Sequence, residues 1–219
     1  MYVVEKFVSI NGESRRAGQL AVFIRFRGCN LDCSYCDTKW ANTQLCPAEE
    51  MTPSEIYEYI KSTGITNVTL TGGEPLLQKD IEMLLKLLAE DESIYVEIET
   101  NGSVDVGFVK AIKNPPSLTM DYKSPSSGMS EKMLLDNYRY IDSRDTVKFV
   151  CGSKEDLEKA YEIICRFELT KKCAVYISPV FGEIELSYIV DFMKEKKLNG
   201  VNMQLQMHKY IWAPDEKGV

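Results

Sequence analysis

Short runs rich in β-branched and aromatic residues alternate along the chain with longer segments whose apolar residues recur every three or four positions. The short runs predict strands at residues 21–27, 67–71, 94–99, 118–122, 146–150, 174–178 and 201–205. Helical spacing fills the intervals. One helix is opened by Thr52-Pro53-Ser54-Glu55, which supplies an N-cap, a proline at the first helical position and an acidic first turn. A second spans residues 77–90, with Ile81, Leu84, Leu85 and Leu88 on one stripe, and others cover 153–167 and 184–197. Segments 106–113 and 130–138 predict two shorter helices. Strands alternating with helices of this length pair in parallel through right-handed crossovers. Six such units with a closing strand fall short of the eight-unit barrel, which takes about 250 residues. The pattern therefore predicts an α/β fold, an incomplete open (β/α)6-type parallel barrel, as one domain over residues 1–219. A doubly wound open sheet is the alternative, because spacing does not set strand order.

Composition narrows the function. A hydrophobic fraction of 44% is ordinary for a chain with a real core and excludes wholesale disorder. No apolar run approaches the ~18–20 residues of a membrane span, and the N-terminal residues lack the basic and apolar regions of a secretory leader. A cytoplasmic location is expected, with no membrane partner. The net charge of −7 argues against general nucleic-acid binding; Arg15-Arg16 and Lys171-Lys172 are the clustered basic pairs. A single histidine, His208, argues against a histidine-rich metal site and a Ser-His-Asp triad. Seven cysteines in a reducing compartment point to metal ligation rather than disulfides.

Three of those cysteines fall within eight residues, as Cys29-Asn30-Leu31-Asp32-Cys33-Ser34-Tyr35-Cys36, directly after the first predicted strand and Gly28. Three thiolates can hold three irons of a [4Fe–4S] cube and leave the fourth open to chemistry. A structural zinc, or a cluster closed by a fourth thiol, is the competing reading, with Cys46 the nearest candidate ahead of Cys151, Cys165 and Cys173. Cys151 at a strand end and Cys165 on a helical apolar stripe read as small buried hydrophobes. A zinc knuckle would show a second C-x-x-C or histidine ligands, and the chain has neither.

Cys29-x3-Cys33-x2-Cys36, with Tyr35 before the last cysteine, resembles the signature of radical S-adenosylmethionine (SAM) enzymes, and Thr71-Gly72-Gly73-Glu74-Pro75 resembles their Gly-Gly-Glu-Pro motif. The two occur in the expected order on successive βα units, which makes the fold the radical SAM kind of open barrel. Further segments resemble one subgroup, the 7-carboxy-7-deazaguanine synthases, from the N-terminus to about Trp212. Ile10-Asn11-Gly12-Glu13 is similar to that family's Gln-Gly-Glu-Gly pterin-binding segment, and Phe23-Ile24-Arg25 to the strand whose arginine meets the substrate carboxylate. Asp37-Thr38 matches the position where a threonine hydroxyl binds Mg²⁺. Glu99-Thr100-Asn101-Gly102, Asp121-Tyr122-Lys123 and Gln206-Met207-His208-Lys209-Tyr210 complete the likeness. Three departures stand out: Asn11 for the usual glutamine, Ser14 for a glycine, and Asp121-Tyr122-Lys123 for the commoner Ser-Pro-Lys.

The resemblance implies cluster ligation by Cys29, Cys33 and Cys36 and Mg²⁺ at Thr38. It implies SAM contacts from Tyr35, Gly73, Glu74, Glu99, Thr100, Asp121, Tyr122 and Lys123, and substrate contacts from Ile10, Asn11, Gly12, Arg25, Thr71 and His208. Local readings compete at several positions. Arg25 in an apolar strand needs a partner, either a substrate carboxylate or an internal acid such as Glu97 or Glu99. Glu74 can favour a helix start, Asn101-Gly102 can be a plain turn, and Lys123 can pair with Asp121. His208 can be a packed hydrogen-bonding group, Tyr35 can merely exclude water, and Trp40 reads as loop packing.

The implied activity is conversion of 6-carboxy-5,6,7,8-tetrahydropterin to 7-carboxy-7-deazaguanine with loss of ammonia, a radical carbon–nitrogen lyase step in queuosine and 7-deazapurine biosynthesis. The implied cofactors are a [4Fe–4S] cluster, SAM and Mg²⁺; the implied partners are a second copy of the chain and a flavodoxin or ferredoxin as electron donor. Two other classes remain open on the sequence. A glycyl-radical activase shares the cysteine spacing but has no need of Asn11, Arg25 or Thr38, and a non-catalytic Fe–S or zinc protein would need a fourth ligand such as Cys46.

Overall fold

The computed structural model describes residues 1–214 and 216–219. Its centre is a parallel run of seven strands: β2 (Leu20–Phe26), β4 (Asn67–Gly72), β5 (Tyr95–Thr100), β6 (Ser117–Tyr122), β7 (Thr146–Cys151), β8 (Ala174–Pro179) and β9 (Val201–Met203), hydrogen-bonded in chain order. An unbroken sequential order has no switch point, so the doubly wound alternative falls and the open parallel barrel stands. Two strands outside the expected set complete the sheet. β1 (Tyr2–Ile10) pairs antiparallel with β2, and the two-residue β3 (Glu49–Glu50) covers its outer edge. β1 mixes Glu5, Lys6 and Ser9 with apolar residues and is mostly half-buried, so its alternation is weak.

Helices pack on the outer face. In α1 (Pro53–Thr63) the capping box forms in full: the Glu55 backbone N–H donates to Thr52 Oγ1 at 3.2 Å and the Thr52 N–H to Glu55 Oε2 at 2.8 Å. Ile56 and Ile60 then face inward. α2 (Ile81–Ala89) buries Ile81, Leu84, Leu85 and Leu88, the stripe expected, although its first turn is a separate 3₁₀ turn at Pro75–Leu77. Between β5 and β6 the chain makes only the four-residue α3 (Gly107–Lys110). Segment 130–138 is not a helix but short 3₁₀ turns. α4 (Lys154–Arg166) is capped by Ser153 and Asp156, α5 (Leu169–Lys172) is a single turn, α6 (Leu186–Glu195) buries Ile189 and Phe192, and α7 (His208–Ile211) follows β9. Cys165 is exposed, contrary to expectation, while Cys151 is fully buried. Among the described residues no helix is long and apolar enough to cross a membrane.

The strands alternate with period two, and the parity decides what becomes core and what becomes site. Val22, Ile24, Phe26, Val68, Leu70, Ile98, Leu118, Met120, Val147, Phe149, Val175 and Ile177 face the helices and are buried there. The opposite parity gives Arg25, Thr69, Thr71, Glu97, Glu99, Thr119, Asp121 and Lys148, which line the barrel interior. The outer layer carries the hydrophobic stabilisation, about 25 cal/mol per Å² of apolar surface removed from water. The interior is left largely polar, with Phe23 and Val150 as apolar exceptions.

Candidate active site

At the carboxyl ends of the strands lies a cavity of about 470 Å³, within the range of small-molecule sites. A larger hollow of about 670 Å³ opens at the other end, among Arg16, Leu88, Tyr95 and Pro115; it holds no thiol and none of the strand-end motifs.

The cysteine loop leaves β2 at Gly28, whose N–H donates to Ala41 O at 3.0 Å, and Cys29, Cys33 and Cys36 all line the cavity. Gly73 shows how the two glycine-bearing segments meet. A Cβ there would sit 1.8 Å from Gly28 O, and the Glu74 N–H donates to that oxygen at 2.8 Å. Only glycine lets the β4 turn seat against the cysteine loop. Two of the sulfurs already have donors: Leu31 N–H and the Asn101 side-chain amide reach Cys29 Sγ at 3.4 and 3.5 Å, and the Asn42 amide reaches Cys36 Sγ at 3.9 Å. Burial pushes the Cys29 thiol up and Cys33 to about 11, so in the cluster-free chain they hold their protons and metal loading displaces them. Cys46 is buried, donates weakly to Pro47 O and does not line the cavity. Among the described residues no three Cys, His, Asp or Glu side chains are gathered tightly enough to hold one ion. Zinc would need its thiolates about 2.3 Å from a single centre, whereas a cube takes one thiolate per iron at three separate corners.

Three expected contacts lie elsewhere. The Glu74 carboxylate is fully buried and turned into the protein: Oε1 accepts from Leu76 N–H (3.1 Å) and Thr100 Oγ1 (2.9 Å), and Oε2 from Asn101 N–H (2.7 Å). Burial raises its pKa against these donors. It braces the β5 turn whose Asn101 reaches Cys29. Tyr122 has helix-side parity and packs on Phe149 with ring centroids 5.5 Å apart, away from the cavity. Asn11 is buried, accepts from Thr69 Oγ1 at 2.9 Å, and leaves its amide nitrogen unpartnered below the cavity lining.

The other expected residues meet at the cavity: Ile10, Gly12, Arg25, Tyr35, Thr38, Thr71, Gly73, Glu99, Thr100, Asp121, Lys123 and His208. Arg25 is anchored by neither Glu97 nor Glu99; its Nε donates to Glu5 Oε2 at 2.9 Å, from β1, the strand the spacing had not shown. Lys123 pairs with Asp121 at 2.8 Å, and the other carboxylate oxygen, Asp121 Oδ1, is buried without a partner. Thr71 Oγ1 donates to Glu99 Oε2 at 2.8 Å. The Thr38 hydroxyl makes no helix-capping bond and lies 3.6 Å from Cys36 Sγ. Met207 N–H donates to Gly12 O at 3.1 Å, and a Cβ on Gly12 would meet His208 Nδ1 at 2.5 Å, so the C-terminal segment is packed onto the β1–β2 loop. Burial lowers the His208 pKa and favours a neutral imidazole. Glu5, Thr119 and Lys148, which the sequence reading passed over, also line the cavity, and Thr119 joins Glu97 and Ser14 in a hydrogen-bonded string. The signal available was strand parity, since Glu97, Thr119 and Lys148 alternate with buried apolar neighbours.

A sequential open βα barrel with three thiols on the loop after its first parallel strand defines the Radical SAM superfamily, whose model matches residues 23–194. A 7-carboxy-7-deazaguanine synthase of Clostridium acetobutylicum is 57% identical over 217 residues, covering 99% of this chain and 98% of the relative. Another from Chlorobaculum tepidum is 36% identical over 220 residues, covering 99% and 96%. The chain belongs to the 7-carboxy-7-deazaguanine synthase family. The crystal structure of QueE from Escherichia coli shares the fold, with a TM-score of 0.75, 21% identity and 94% coverage of both chains. The superfamily uses a [4Fe–4S] cluster and SAM, and the residues present fit them: three cavity-lining thiols with N–H donors on two of the sulfurs, and a buried carboxylate oxygen of Asp121 still lacking a donor.

Proposed function

We propose that this chain converts 6-carboxy-5,6,7,8-tetrahydropterin to 7-carboxy-7-deazaguanine with release of ammonia, as one catalytic domain. The observation that carries the reading is the convergence of Cys29, Cys33 and Cys36 with Arg25, Thr38 and Gly12 on one 470 Å³ cavity in a chain 57% identical to a synthase of that name. When bound, the cluster and SAM supply the one-electron chemistry that takes a hydrogen atom from the substrate.

The protein's part is placement. Arg25, with its Nε held by Glu5, presents its terminal nitrogens to the substrate carboxylate. The Thr38 hydroxyl supplies the protein ligand to Mg²⁺, an ion that takes few protein ligands beside substrate oxygens. Ile10, Gly12 and His208 border the pterin, with Thr71 beneath it. On the other side Tyr35, Gly73, Glu99, Thr100, Asp121 and Lys123 border SAM. The protein works in the cytoplasm as a homodimer and takes its electron from a flavodoxin or ferredoxin docked at a local basic patch.

The test is anaerobic turnover with reconstituted cluster, SAM, reductant, Mg²⁺ and 6-carboxytetrahydropterin, read by mass spectrometry. A product one ammonia lighter, without stoichiometric SAM loss, supports the reading. Cleavage of SAM with the pterin intact overturns the substrate assignment.

A further inference from the structure

Lys148, in the middle of β7, carries a full charge into the barrel interior. Its ammonium lies 3.0 Å from Glu13 Oε2, and each side chain is only 9% exposed. Glu13 sits on the β1–β2 loop, so this ion pair joins elements 135 positions apart in the chain. Glu13 Oε2 also accepts from the Gln206 side-chain amide at 3.1 Å, whereas Oε1 is buried with no partner among the described residues. Both residues line the cavity. A buried carboxylate with one oxygen saturated and the other free is an acceptor held ready for a ligand N–H.

We propose that Lys148 is a positioning residue for the substrate: its ammonium holds the Glu13 side chain in place and ionised, so that Glu13 Oε1 accepts a hydrogen bond from the bound pterin. The proposal rests on the substrate reading above for what fills the cavity. The charged or titratable groups facing the pair are Asp121 and Tyr176, the register partners of Lys148 on β6 and β8, Glu97 and Glu99 on β5, Lys123 beyond β6, and His208 after β9. Among them Lys148 is the cation in contact with Glu13. In its presence the Glu13 carboxyl sits at about 2: burial pushes it up, and the Lys148 charge together with the hydrogen bonds from Gln206 and Lys148 outweighs that push. Without Lys148 the burial effect acts unopposed by contact charge and the carboxyl rises toward neutrality.

Two measurements separate this from a purely structural role. The first is pterin affinity against pH, by calorimetry on protein that cannot turn over for want of SAM. Wild type should show no acid limb from Glu13 between pH 5 and 8. Lys148→Met should bind at least tenfold more weakly at pH 7 and lose further affinity as pH falls, because a protonated Glu13 is a weaker acceptor than the carboxylate and its proton competes for Oε1. A Lys148→Met protein with wild-type affinity and a wild-type profile overturns the proposal. The second needs no ligand: denaturant midpoints of the cluster-free chain for wild type, Lys148→Met, Glu13→Gln and the double variant. Lys148→Met strands a buried anion, so its midpoint should fall, and the double variant, with neither charge, should recover most of the loss. Additive effects overturn the pairing. Wild-type protein that binds no pterin overturns the substrate reading instead, and the midpoint cycle still decides the pair.

Discussion

Glu74 offers the sharpest separation between a ligand-binding and a structural role. Its carboxylate takes three donors, all from the protein: Leu76 N–H, Thr100 Oγ1 and Asn101 N–H, at 3.1, 2.9 and 2.7 Å. In Glu74→Gln one oxygen becomes an N–H₂ group, and in either amide orientation a backbone N–H, of Leu76 or of Asn101, faces another donor. One hydrogen bond to a charged acceptor is lost, costing about 1.5–3 kcal/mol. For a chain of this size each kcal/mol moves the thermal midpoint by roughly 2–4 °C, so the substitution should lower it by roughly 3–12 °C. Glu74→Ala orphans both N–H groups and should cost about twice as much. The assay is a circular-dichroism melt of the cluster-free chain, paired with SAM binding after anaerobic reconstitution. SAM affinity should fall only as far as the Asn101 turn is displaced, with Gln less affected than Ala. A Gln variant that melts with wild type yet no longer binds SAM would refute the reasoning and return Glu74 to the cofactor.

Four further outcomes are expected. Gly73→Ala drives a Cβ to 1.8 Å from Gly28 O, so it should prevent cluster loading, read by visible absorbance, and lower the thermal midpoint; normal loading would contradict the close approach. Cys46→Ala should load the cluster normally, whereas Ala at Cys29, Cys33 or Cys36 should abolish it; iron and sulfide analysis decides. Ser14 has φ +66° and bonds Thr119 Oγ1 at 2.9 Å, so Ser14→Ala keeps the backbone cost and loses the bond, about 1–2 kcal/mol. Ser14→Gly trades one against the other, and a urea titration in which Gly is no more stable than Ala contradicts this. Arg25→Lys gives up the Nε bond to Glu5 and the planar fork, so pterin binding by calorimetry should weaken at least tenfold with cluster absorbance unchanged.

Much of the architecture was legible in the chain because strands and helices there differ in period. The Thr52–Glu55 cap, the Ile81–Leu88 stripe and six of the seven parallel strands lie where the pattern puts them. The last strand, β9, stops at Met203 rather than residue 205. β1 was invisible because a half-buried strand, paired on its outer side only at Tyr2 and Val3, needs no strong alternation, and its Glu5 and Lys6 interrupt the apolar pattern. That omission hid the partner of Arg25. The cysteine and glycine motifs were legible because each is contiguous in sequence. Motif membership does not say which way a side chain turns, however. Tyr122 lies beside Asp121 and Lys123 yet has the other parity, and Glu74 lies beside Gly73 yet spends its oxygens inside the fold. Lys148 belongs to no motif at all.

The same parity explains how an incomplete barrel can be both stable and reactive. In a closed eight-stranded barrel the interior is packed with branched apolar side chains and contributes to the core. Here the core lies entirely between strands and helices, where Ile56, Leu84, Leu118 and Phe149 are buried, so the interior is free to be polar. That freedom has a stability cost, since buried ion pairs such as Glu13–Lys148 repay their desolvation poorly compared with apolar residues of the same volume. What the charges supply is orientation. Two of the interior pairs, Glu13–Lys148 and Asp121–Lys123, each engage one carboxylate oxygen and leave the other, Glu13 Oε1 and Asp121 Oδ1, buried and without a donor among the described residues. Groups fixed in this way need no reorganisation when a ligand arrives, which is the condition for holding a reacting carbon against a short-lived radical. Glu13 Oε1 comes from the β1–β2 loop and Asp121 Oδ1 from β6, the strand on which Asp121 is registered against Lys148. A barrel interior filled with valine and leucine would be more stable, but it could not keep the two ligands in register.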